Sequence, residues 1–172
     1  MKQSFFLALV FLTMLPISSC QKEKDTTTAV STYYFIRHAE KDRSDSSNKN
    51  PHLIEKGKQR AEQWSNVLKN ITFDAIYSTN YHRTIETAQP TAVKNNLKIE
   101  FYNPKELDIQ EFLNKTKGKS VLVVGHSNTT PEFVNKLLGE EKYQHIDDSN
   151  NANLYIVTVS GDAISDTLLL VE

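Results

Sequence analysis

The stretch that decides the fold is Ser120-Val121-Leu122-Val123-Val124-Gly125-His126-Ser127. Four consecutive apolar residues, three of them β-branched, halted by a glycine, predict a central parallel strand buried on both faces. Parallel neighbours must be joined through crossover segments, usually helices. The flanking sequence supplies them. Upstream, Thr32 to Ile36 is aromatic and β-branched, Asp74 to Tyr77 is a second short strand pattern, and Leu97 to Tyr102 a third. Between the first two, Leu53, Gly57, Ala61, Trp64, Leu68 and Ile71 recur at three- and four-residue steps and line one helix face. Between the next two, a helix carries Arg83, Thr84, Thr87 and Ala88, with Pro90 disturbing its regular bonding. Glu106 to Lys117 reads as a third helix, ended by Gly118. Downstream, Thr129 or Thr130 is placed to cap a helix with Pro131 in its first turn, running to Gly139. Leu154–Val159 and Ala163–Val171 flank Gly161-Asp162, a hairpin signal that adds an antiparallel edge. The expected fold is a three-layer α/β/α sandwich around a largely parallel sheet.

The chain has 172 residues and a formal net charge of −1. That length fits one domain, and the absence of a basic block gives nucleic acid no electrostatic footing as a partner. Lys2, the apolar run Phe5–Leu15 and the small residues up to Ser19 have the layout of a signal peptide over 1–19. Ile17-Ser18-Ser19-Cys20 resembles a bacterial lipobox, making Cys20 a candidate for lipidation. The cysteine, the only one in the chain, and the polar stretch through Ser31 then form an anchor and tether over 20–31. The globular domain is expected over 32–172, on the extracytoplasmic side of a membrane.

Three strand patterns end in chemically loaded residues: Ile36 before Arg37-His38, Tyr77 before Ser78, and Val124 before Gly125-His126. In open α/β sheets ligands bind beyond the carboxyl ends of the strands, so these segments, with Arg83 shortly after Ser78, should converge. Paired arginines suit a phosphate dianion. An imidazole between guanidinium groups is disfavoured in its protonated form and keeps a nitrogen free to attack phosphorus. A carboxylic acid is then needed to protonate the leaving oxygen.

Arg37-His38-Ala39-Glu40, the segment Ser78–Thr84 with Thr87 and Ala88, and Gly125-His126-Ser127-Asn128-Thr129 together resemble the motifs of the histidine phosphatase superfamily, whose fold is phosphoglycerate mutase-like. The resemblance implies a metal-independent phosphatase in which His38 is the nucleophile and forms a phosphohistidine. Arg37, Arg83 and His126 would bind phosphoryl oxygens, with Ser78 and Asn128 as further contacts or turn-formers. Family proton donors are acids between the second motif and the second histidine, which here selects Glu106, then Asp108 or Glu111. Ala39 replaces the family's usual glycine, which predicts a tighter backbone there. The short domain has no long insertion to form a lid, so an open site is expected.

His52, His82 and His145 carry no motif and are read as surface residues, and Trp64 as core. No histidine pair has the i, i+4 spacing, and no cysteines the clustering, of common zinc motifs, so neither metal nor cofactor is expected. Gly-x-Ser-x-Gly and Walker patterns are absent. The substrate would be a phosphorylated small molecule or protein. A phospho-ligand binding or sensing lipoprotein without turnover, or a phosphomutase, is the alternative.

Overall fold

The computed structural model describes residues 28–172; the signal-peptide and Cys20 expectations lie outside them. The elements are β1 (Val30–Arg37), α1 (Glu55–Val67), β2 (Ala75–Ser78), α2 (His82–Asn95), β3 (Ile99–Phe101), α3 (Ile109–Lys115), β4 (Ser120–Gly125), α4 (Thr129–Leu138), β5 (Asn153–Ser160) and β6 (Ala163–Leu170). They form one six-stranded sheet in the order β3-β2-β4-β1-β5-β6. β3, β2, β4 and β1 run parallel, and β5 and β6 add an antiparallel edge through the Gly161-Asp162 turn. Among the described residues no helix is long and apolar enough to cross a membrane.

The run in β4 is buried on both faces, and its alternation divides the core into two layers. Val121 and Val123 pack with Tyr33, Phe35, Tyr77, Phe112, Phe133 and Val134 on the face covered by α3 and α4. Leu122 and Val124 pack with Ile36, Trp64, Leu68, Ile76, Ala88 and Ala92 on the face covered by α1 and α2. Trp64 is core, 1 % exposed.

Some boundaries differ from the sequence pattern, each for a physical reason. β1 begins at Val30, because Val30 and Ser31 pair with Ser160 and Val159 of β5; the ladder extends into what looked like tether. α1 stops at Val67, so Ile71 packs from the following loop rather than from the helix. Pro90 sits inside α2 without ending it. The buried Ala88, Thr91 and Ala92 on either side keep the helix packed across the missing bond. α3 begins only at Ile109, because the Asp108 side chain accepts from the Glu111 N–H at 3.0 Å and fixes the start of the helix there. Glu106 therefore lies in a turn, its N–H donating to the Asn103 carbonyl.

A candidate active site at the carboxyl edge of the sheet

Register sets the site. Arg37 stands opposite Gly125, and Ser78 opposite Val124, so β1, β2 and β4 end side by side and release His38, Thr79 and His126 at one edge. His38 is then fixed by its backbone. Its N–H donates to the Gly125 carbonyl at 3.0 Å, and its own carbonyl accepts from Asn151 Nδ2 at 2.8 Å. The next N–H, of Ala39, donates to Thr87 Oγ1 at 2.9 Å. The alanine meets no backbone difficulty: Asn96 is the only non-glycine at positive φ among the described residues, and the Ala39 methyl fills a small apolar cluster with Leu53 and Ala61.

The His38 ring is paired through Nδ1 with the Ala39 carbonyl at 2.7 Å. A carbonyl only accepts, so Nδ1 carries the proton and Nε2 keeps its lone pair. Burial lowers the pKa of His38 to about 3, with Arg37, His126 and Arg83 adding repulsion against the Ala39 hydrogen bond. At neutral pH the ring is an uncharged imidazole, 4 % exposed. His126 lies edge-on to it, ring centroids 5.5 Å apart. Its Nδ1 faces Arg83 NH2 at 3.4 Å and its Nε2 faces Thr79 Oγ1 at 2.9 Å. Arg83 can only donate, so the proton of neutral His126 sits on Nε2 and Thr79 accepts it. Burial, then Arg83, Lys41 and Arg37, hold the His126 pKa down to about 4.

Tyr81 positions Arg83: the guanidinium carbon lies 4.5 Å from the tyrosine ring centroid, and the same ring meets His126 edge-on at 5.2 Å. Neither Tyr81 nor Thr79 was selected from sequence. Their signal was position alone, directly after a strand end and before Arg83. The 147–150 segment was also missed. Arg37 NH1 donates to the carbonyls of Asp147 and Asn150 at 2.8 Å each, and NH2 to Asp148 Oδ1 at 2.5 Å. Much of the Arg37 donor capacity thus holds this loop at the rim, a correction to its reading as a phosphate ligand alone. Arg43 and Arg37 in turn hold the Asp148 carboxyl well below the usual carboxylate range.

The resulting cavity, about 590 Å³, is lined among others by Arg37, His38, Lys41, Arg83, His126 and Asn128. Its cationic liners are Arg37, Lys41, Arg83, Lys105 and Lys136, against the acids Glu132 and Asp148. The start of α4 adds its N-terminal dipole, with Ser127, Asn128 and Thr129 on the lining. A larger cleft of about 740 Å³ between α1 and α2 has no histidine or arginine on its lining.

Two expected contacts are not at this pocket. Ser78 is fully buried and its Oγ donates to the Thr79 carbonyl at 2.9 Å, so it holds the turn. Glu106, Asp108 and Glu111 line a separate depression with Tyr77 and Lys115. The turn at Asn103–Glu106 and the late start of α3 carry these acids past the edge of the sheet. The 42–51 loop puts no side chain on the lining; Asn50 Oδ1 accepts the His82 N–H at 2.8 Å and braces α2.

Residues 33–104 match the model of the histidine phosphatase superfamily (branch 1). No curated protein matches the chain. Solved structures share the fold. The protein histidine phosphatase SixA complexed with tungstate has a TM-score of 0.66 at 17 % identity, over 81 % of this chain and 96 % of that one. A phosphoglycerate mutase from Bacillus anthracis has a TM-score of 0.63 at 18 % identity, over 85 % and 95 %. A phosphoserine phosphatase variant from Entamoeba histolytica in complex with phosphoserine has a TM-score of 0.63 at 16 % identity, over 80 % and 95 %.

Proposed function

We infer that this chain, which matches the histidine phosphatase superfamily in its sequence over 33–104 and in its fold, is a phosphatase that hydrolyses phosphorylated substrates through a phosphohistidine on His38. The observation that carries this reading is the pairing of an uncharged, Nε2-free His38 with His126 and Arg83 in one cationic pocket. Attack by Nε2 forms an N–P bond as the P–O bond to the leaving group breaks. Arg83, the Arg37 charge and the α4 N-terminus stabilise the negative charge on the transferring group, and His126 orients the Arg83 guanidinium through its Nδ1 lone pair. Water then cleaves the N–P bond and releases phosphate.

The proton donor is reassigned. Asp148 is held ionised by two arginines, whereas Glu132, on the first turn of α4, lines the pocket and contacts only His145 Nε2, at 3.1 Å. Glu132 is therefore the acid for leaving groups that need protonation. Hydrolysis is favoured over mutase chemistry because retention of a phosphoryl intermediate requires a site closed against water. The N-terminal sequence adds a lipid anchor at Cys20 and an extracytoplasmic location to the proposal.

The test is rapid quench with labelled phosphodonor followed by mapping of the acid-labile adduct. Label on His38, lost in His38→Ala, is expected. Phosphate binding without any adduct or turnover would favour a sensing lipoprotein instead.

A further inference from the structure

Outside the phosphate pocket, His52, His82 and Glu86 come together, offering one ligand atom each within 4.8 Å of one another. His82 and Glu86 are four residues apart on α2 and share a face. His52 arrives from the loop before α1. It touches Glu86 Oε1 through Nδ1, and its ring stacks on His82 with centroids 4.1 Å apart and planes 13° from parallel. The carboxylate is already oriented, because its other oxygen accepts the Leu53 N–H at 2.8 Å; a backbone donor of this kind fixes a ligand in advance.

We propose that His52, His82 and Glu86 form a surface site for a divalent transition-metal ion of the zinc class, which clamps the 42–53 loop onto the start of α2. Two imidazoles and one carboxylate are a donor set that suits zinc and its neighbours rather than magnesium or calcium. Zn–N bonds near 2.0–2.1 Å place neighbouring ligand atoms of a tetrahedral ion about 3.3 Å apart. Both imidazoles are exposed and free to rotate inward by the difference, and water completes the shell. The ion takes the place of the contact between His52 and Glu86 and gathers the stacked His82 ring as a third ligand.

Position gives the clamp its consequence. The loop is closed at its base by the Lys41–Leu53 bridge and by the Asp42 N–H donating to the His52 carbonyl at 2.8 Å. It already touches the helix through Asn50 and the His82 N–H. Lys41 lines the phosphate pocket from one end of this unit and Arg83 from the other. The ion would hold the two in register without touching the reacting phosphorus.

The experiment titrates the full chain with Zn²⁺ and Co²⁺, reading stoichiometry, Co²⁺ visible absorption and melting temperature. Expected are one ion per chain, a nitrogen–oxygen Co²⁺ spectrum without thiolate charge transfer, and a rise in melting temperature. His52→Ala and His82→Ala should each weaken binding at least tenfold and remove the thermal shift while the metal-free variants keep wild-type turnover. Unchanged binding in both variants would overturn the proposal. So would a thiolate spectrum, which assigns the ion to Cys20, or loss of binding only in His126→Ala, which assigns it to the phosphate pocket.

Discussion

At the scale of single residues, the imidazoles of His38 and His126 set the pH behaviour. Free-enzyme kcat/KM should stay level from neutral pH downward and fall only as the pH approaches about 4 and about 3, where His126 and His38 take up protons. Stability follows a different window. Both folded pKa values lie below the ordinary 6.5, so below pH 6.5 the unfolded chain binds protons that the folded imidazoles refuse. The stability present above that pH is lost as the pH falls through the folded values; chemical denaturation across pH 7 to 4 measures it, and a level profile would contradict the burial of neutral rings. The arginines should separate. Arg37→Ala leaves loop carbonyls and a buried site unpaired, costing roughly 2 kcal/mol or more of stability along with turnover. Arg83→Ala should leave the melting temperature nearly unchanged while weakening inorganic phosphate as an inhibitor. For the acids, Glu106→Gln should keep turnover, whereas Glu132→Gln should slow alkyl phosphates far more than aryl phosphates, whose leaving groups need little protonation. Equal effects on both substrate classes would remove Glu132 from the donor role.

At the scale of elements, the site depends on how closely α1 approaches the loop after β1. A Cβ on Gly57 would sit 2.1 Å from the Glu40 carbonyl oxygen. Glu40 itself is held by Arg60 Nε at 2.9 and 3.0 Å to its two oxygens. This segment is the continuation of His38 and Ala39, so α1 acts as the buttress of the His38 backbone. Gly57→Ala should force helix and loop apart at a cost of about 1–3 kcal/mol, as overpacking does. A fall in kcat should accompany the lower melting temperature, both read on the same purified variant. A melting temperature equal to that of the parent protein would show that the contact is softer than its geometry.

At the scale of the whole molecule, the sheet gathers positive charge from β1, α2, α4 and their loops onto one edge although the chain carries a net charge of −1. Substrate capture should therefore weaken with ionic strength, seen as a rise in KM with little change in kcat. EDTA should leave hydrolysis of an aryl phosphate within about twofold of its starting rate, because every group assigned to the phosphoryl step is a side chain or a backbone dipole. Loss of activity in chelator, restored by zinc, would transfer part of the chemistry to a metal.

The sequence by itself determined the layering and the convergence at the carboxyl edge. Runs such as Val121–Val124 and the spacing of Ala61, Trp64 and Leu68 are local patterns, and strand ends are where local patterns stop. That is why His38, Arg83 and His126 were legible as a group before any coordinates. Only the tertiary structure decided what each group faces. Arg37 meets a loop more than a hundred residues away, the acids near 106 turn from the pocket while Glu132 enters it, and His52 crosses to Glu86. These outcomes depend on a few ångströms of loop path and on which donors remain unpaired after the chain has closed on itself. No periodicity along the chain encodes them, because the partners are chosen by long-range packing rather than by neighbours in sequence.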